Sequence, residues 1–207
     1  MPVVKKNILL GMTALILFFC ATSKDLRSKF ERDPLVAVVY GLKPKGAPPT
    51  MQIVYDVEGI IGQNFPENFA QTAESVKEAI AESWSLPRTY VVQNRAQFEA
   101  DLVSGVWLKG YYVPVRGYRY KFVCTAYVVF MDERMREYLG KEEGYLVAQS
   151  ESSDFEVKEV KSFLDRGMKR QAFEQLLRFI PPEKILPELQ IKIKEGTKKL
   201  MEEIKQS

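Results

Sequence analysis

The sequence predicts an α+β fold: a small antiparallel sheet in β-α-β-β-β-α order, with two helices packed on one face. Three observations carry that prediction. Apolar residues recur at helical spacing between 69 and 84 and again between 160 and 180. Between those segments they alternate with period two, most clearly from Tyr118 to Ala126. Strand-period runs therefore lie between helix-period runs, and a sheet with helices segregated to one side buries both.

The chain divides into four parts: an export signal or signal anchor (1–20), a charged tether (21–34), the α+β domain (35–182) and a C-terminal extension (183–207). In the first part Lys5 and Lys6 precede ILLGMTALILFF (8–19), and Ala21, Thr22 and Ser23 follow. Basic, then apolar, then small is the layout of an export signal. The run is too short for the roughly 20 residues that span a bilayer. Cys20 ends it, with three fates open. As a lipoprotein signal cysteine it would be diacylated; Leu17 fits the position three before it, whereas Phe18 and Phe19 stand where small residues are usual. Cleavage after Ala21 or Ser23 would discard it, and an uncleaved anchor would keep it unmodified.

The tether, KDLRSKFERDP (24–34), is charged with little apolar pattern. LVAVVY (35–40) is a strand, GLKPKGAPPT (41–50) a loop, and MQIVYDVEGI (51–60) a second strand candidate. Asn64 and Glu67 have capping-box spacing, and Pro66 suits a first helical turn. Phe69, Ala73, Val76, Ile80 and Trp84 then share one helix face, leaving Glu74, Lys77, Glu78 and Glu82 for solvent. RTYVVQN (88–94) is a short strand, and RAQFEAD (95–101) a helical turn.

Three strands follow, around 102–115, 117–133 and 144–152. In the middle one Tyr118, Tyr120, Phe122, Cys124 and Ala126 share a face, opposite Arg119, Lys121 and Thr125. One apolar and one wet face indicate an antiparallel sheet covered on one side. FEVKEVKSFLDRGMKRQAFEQLLRFI (155–180) reads as one long helix, stopped by Pro181 and Pro182. In the extension Leu189, Ile191 and Ile193 alternate like a strand, while Leu189, Ile193, Leu200 and Ile204 fit a helix. A strand-like start and a helical end is the expectation.

Composition narrows the chemistry. The 207 residues hold no histidine and two cysteines. That removes the usual general base near neutral pH, the Ser-His and Cys-His pairs and the commonest zinc ligand. No glycine-rich phosphate loop is present. No enzyme activity, cofactor or metal is expected. The formal charge is +3, but setting residues 1–20 aside removes Lys5 and Lys6 and no acid, which leaves 28 basic against 27 acidic residues. No nucleic-acid groove is expected from so small an excess. Cys124, in a strand, reads as a small buried hydrophobe.

The candidate binding surface is GYYVPVRGYRY (110–120), with Tyr111, Tyr112, Arg116, Tyr118 and Arg119. Tyr beside Arg at a sheet edge is what binding surfaces enrich. The alternative is that these tyrosines only cover a core edge with their hydroxyls in water.

The order of elements, with SVKEAIAESW (75–84), TYVVQNRAQFEADLVSGVW (89–107), the YRYKF strand (118–122) and YLVAQSESSDF (145–155), resembles small envelope lipoproteins, chiefly those of the lipopolysaccharide-assembly type. Curli-secretion-like lipoproteins and auxiliary lipoproteins of envelope ABC transporters share parts of the pattern. The resemblance implies a non-enzymatic plug, chaperone or scaffold on the periplasmic side of the envelope, anchored in the outer membrane. It would meet the membrane through its N-terminal segment or a lipid on Cys20, and bind an envelope protein partner. The alternative is a periplasmic lipid or glycolipid carrier, an auxiliary subunit of a transporter.

Overall fold

A computed structural model of the chain describes residues 25–46, 66–92, 98–179 and 185–207. The expected signal segment, Cys20, the strand candidate at 51–60 and the proline stop at 181–182 lie outside the described residues. The α+β class holds. The elements in order are α1 (25–30), β1 (Val36–Tyr40), α2 (Pro66–Trp84), β2 (Thr89–Val92), β3 (Leu102–Arg116), β4 (Arg119–Asp132), β5 (Tyr138–Leu139), β6 (Tyr145–Glu151), β7 (Phe155–Glu156), α3 (Lys158–Asp165), α4 (Lys169–Phe179) and α5 (Leu186–Gln206).

One open sheet runs β2-β1-β3-β4, and β5, β6 and β7 pair in turn along β4. The pairs of β4 with β3 and β6 are antiparallel, as expected, and β5 and β7, which lie outside the expected strands, pair with β4 antiparallel as well. The β1 strand departs from that expectation: it is parallel to β2 on one side and to β3 on the other. The helix α2 lies between β1 and β2 in sequence, which supplies the long connection that a parallel pair requires.

The main core lies between the sheet and α2 and α5. Val36 and Val38 of β1, Leu102, Val106 and Leu108 of β3, and Phe122, Cys124, Ala126, Val128 and Phe130 of β4 face Ala73, Val76 and Ile80 of α2. Leu186, Leu189, Ile193, Leu200, Met201 and Ile204 of α5 complete this layer. From Ala73 to Trp84 the α2 stripe is the one its sequence spacing predicts.

Two expectations about the ends are corrected. The described part of the expected tether at 21–34, residues 25–34, is not free, because α1 buries Leu26 and Phe30 in the main core. The Phe30 ring stacks on Trp84 at 5.2 Å and meets Phe130 edge-on at 5.7 Å. Two apolar residues four apart make one short helical stripe inside a charged segment. The segment 183–207 is not an extension with a strand-like start. It contributes one 21-residue helix. Leu189 and Ile193 point inward while Ile191 is exposed, so the helical period governs.

The helices α2 and α5 run parallel and are joined along their outer edge. Gln190 Nε2 donates to Gln71 Oε1 at 2.7 Å. Lys194 bridges Glu78 at 2.7 Å and Glu82 at 2.9 Å, and Lys198 reaches Glu82 at 2.5 Å. The two lysines hold the Glu82 carboxyl down to about 2, with Lys198 the larger cause. At Gly196 the α5 backbone rests on the Val147 carbonyl of β6, where any Cβ would collide.

The second face of the sheet is covered as well, against the expectation of one wet face. Ala37, Val39, Val92, Val103 and Met131 form a second cluster there, with Leu42, Phe98, Met135 and Tyr138 packed on it. Loop residues 41–46 cross this face. A Cβ at Gly105 would strike the Leu42 side chain. Tyr138 donates its hydroxyl to the Lys43 carbonyl at 2.8 Å, and the Lys45 N–H donates to the Glu142 carbonyl at 2.7 Å.

Candidate functional site

The β3–β4 hairpin is longer than the sheet that supports it. Its strands have 15 and 14 residues, yet β1 pairs with β3 only from Leu102 to Val106. The hairpin beyond Val106 therefore runs on past the end of β1. The register shifts between Pro114 and Arg116, leaving Val115 as the extra residue. Proline donates no ladder hydrogen bond and is tolerated at such a bulge. Gly117, at φ 61°, and Tyr118 form the turn.

The five candidate residues separate into two groups. Tyr112 turns inward: its ring lies 5.0 Å from Phe122 and 6.1 Å from Phe155. That is the structural role, a ring closing a core edge. Tyr111 lies in β3 opposite Val123. Arg116, Tyr118 and Arg119 are exposed at the tip. Tyr118 is 42% exposed and Val115 46%. Arg116 and Arg119 are register partners directly across the turn. The Arg119 Nε lies 3.8 Å from Asp154 Oδ2, a loose solvent-exposed pair. Arg116 has no ion-pair partner among the described residues. Two like charges placed opposite each other on a hairpin destabilise it.

The tip rests on a small second layer that sequence reasoning placed elsewhere. The stretch 155–180 is not one helix: Phe155 and Glu156 form β7, and the remainder splits into α3 and α4. Arg166 ends α3 and Gly167 takes φ 71°. The Gly167 N–H donates to Leu164 O at 2.9 Å and the Met168 N–H to Phe163 O at 2.8 Å. This is the Schellman arrangement that glycine favours at a helix end. The signal was legible as Arg-Gly inside the apolar stripe. Tyr120 and Val157 pack with Val160, Ala172 and Leu176, with Tyr112, Phe155 and Phe163 at the rim. The Val157 N–H donates to the Tyr118 carbonyl at 2.9 Å, tying β7 to the turn. Burial raises the Tyr120 hydroxyl.

Among the described residues no group of three metal-ligating side chains converges. Burial pushes the Cys124 thiol up to about 12, far from a thiolate at neutral pH. An open groove of about 420 Å³ between α2 and α5 is lined by Ser75, Gln190, Ile191, Lys194, Glu195 and Lys198. Both its lysines are already bound by Glu78 and Glu82. No helix among the described residues is long and apolar enough to cross a membrane. No family model matches the chain, and no curated protein matches it.

Proposed function

We propose that the protein is a non-enzymatic assembly, scaffold or plug factor of the cell envelope, exported and membrane-anchored, which docks through its β3–β4 hairpin tip onto an acidic face of a membrane protein partner. The observation that carries the docking surface is the direct opposition of Arg116 and Arg119 beside exposed Val115 and Tyr118. An arrangement that costs stability in the free protein becomes favourable when a partner carboxylate sits between the guanidinium groups. The envelope location is supported by the layout of residues 5–23, and an anchor by Cys20. A periplasmic lipid or glycolipid carrier is the competing reading. Against it weighs the interior between sheet and helices, where Phe30, Phe122, Phe130, Leu102, Leu108 and Met201 are fully buried and fill the space a lipid would need.

A photoactivatable phenylalanine in place of Tyr118, with a second placed at Ile191 as control, tests the docking surface in intact membranes. The expected result is a discrete membrane-protein adduct from position 118 that falls about tenfold with Arg116→Glu. Equal adducts from both positions, or an adduct indifferent to the charge reversal, would overturn it. Stoichiometric copurified lipid in place of any adduct would favour the carrier.

A further inference from the structure

We infer that the α3–α4 hairpin is a lid, which opens as a unit while the rest of the protein stays folded and so uncovers an aromatic strip next to the tip. The first support is separation. Val160, Ala172 and Leu176 pack with Tyr120 and Val157 in a cluster of their own, and none of them belongs to the main core. The helices α2 and α5 meet the sheet and each other, whereas among the described residues α3 and α4 meet one another and reach the sheet through Val160, Ala172 and Leu176.

The second support is intrinsic weakness. The two helices have 8 and 11 residues, and helices shorter than about 12 residues are marginal in water without packing. Val157, at the α3 N-cap, offers no side-chain hydrogen bond to the free N–H groups of the first turn. Lys161–Asp165 and Arg170–Glu174 lie within single helices, and the ion pair from α3 to the sheet, Lys158–Glu156 at 3.6 Å, is solvent-exposed and weak.

The third support is what lies beneath. Phe122 of the main core touches Tyr112, Tyr112 touches Phe155, and Phe155 touches Tyr120, with centroids 5.0, 6.1 and 6.5 Å apart. Residues Phe155 and Glu156 are paired to β4 independently of the lid. Lifting 158–179 therefore leaves the strip presented on a paired hairpin, beside Arg116 and Arg119. The hinge at one end is Val157, extended at φ −137° and ψ 97°.

The lid regulates the proposed docking surface, so its use by a partner rests on that reading; its opening does not. Hydrogen exchange on the full chain, alone in detergent, tests the opening. Amides of 158–179 should exchange about 100-fold faster than those of α5, as expected for sub-global opening. The variant Val160→Ala should accelerate 158–179 by a further tenfold or about that, leaving α5 unchanged. Hydroxyl-radical labelling of Tyr120 should rise in the same variant. Exchange of 158–179 in step with α5, or equal loss of protection in both after Val160→Ala, would overturn the inference. The crosslink at position 118 needs a partner and this measurement does not, so the two readings fail separately.

Discussion

The main body and the hairpin-tip lobe are built from the same kinds of residues and held in different ways. In the main body buried apolar side chains from α1, α2, α5, β1, β3, β4 and β6 share one cluster, and Phe30 is covered by both Trp84 and Phe130. The flanking helices are also joined to each other by Lys194 and Lys198 through Glu78 and Glu82. In the lobe, among the described side chains, Val160, Ala172 and Leu176 hold two short helices against Tyr120 and Val157. Under the proposed docking mode, stability and exposure of the docking tip are divided between them. The body supplies a stiff base, and the lobe carries opposed arginines, a bulge and a weakly held cover. Low-stability regions are where binding elements are commonly drawn from.

Breaking the body should have the largest effect. Phe30→Ala is expected to cost about 3–5 kcal/mol, the range for truncating a buried phenylalanine, read by urea denaturation of the whole protein. A variant that unfolds at the parent's midpoint would place 25–30 outside the body. Gly196→Ala comes next, at roughly 1–3 kcal/mol, because the new methyl meets the Val147 carbonyl and α5 must move. A neutral result would show that α5 does not rest on β6.

The comparison also explains how much could be read beforehand. The stripe of α2 and the alternation of β4 were legible because both periods repeat over a dozen residues or more, locally. The role of α1 was not: Leu26 and Phe30 are one helical repeat among charges, too little to register as a period. In α5 Leu189, Ile191 and Ile193 satisfied two periods at once, and only burial separates them. The parallel pairing of β1 joins residues more than 50 positions apart, and no local pattern encodes a choice of neighbour. The cover over Val103 and Met131 comes from loop residues such as Leu42, which carry no periodic signal. At the candidate site the Tyr and Arg composition was legible. Which tyrosine faced inward was not, because β3 carries apolar or aromatic residues at both parities and its alternation alone names no inner face.

Smaller effects sharpen the contrast. Val160→Ala removes two methyl groups, about 1.5 kcal/mol at ~0.8 for each buried carbon, and the loss should stay in the lobe. Calorimetry should show the main transition unmoved; a drop as large as that of Gly196→Ala would merge the two regions. The smallest expected effect is electrostatic. Glu82 is depressed from 4.5 to about 2 by Lys198 and Lys194. A depressed acid contributes stability above its ordinary value and loses it as pH falls from 4.5 toward 2. Glu82→Gln should flatten the stability profile in that window while the slope above it is kept. An unchanged acid slope would mean that the α2–α5 ladder is not formed in solution.

The burial of Leu26 changes what an anchor on Cys20 would mean. Five Cα steps separate Cys20 from Asp25, where the described helix begins, and at full extension they reach no more than about 18 Å. A lipid-anchored form would therefore be held at nearly fixed height, with little freedom to swing. It would behave as a post set in the leaflet rather than a buoy on a line. Search in two dimensions would fall to lateral diffusion of the whole molecule, and a partner in the same membrane would meet the tip at a high effective concentration only when its docking face lies at the matching height. Inserting a flexible segment between Ser23 and Asp25 would then alter partner capture without touching any contact residue, because the quantity being changed is geometry.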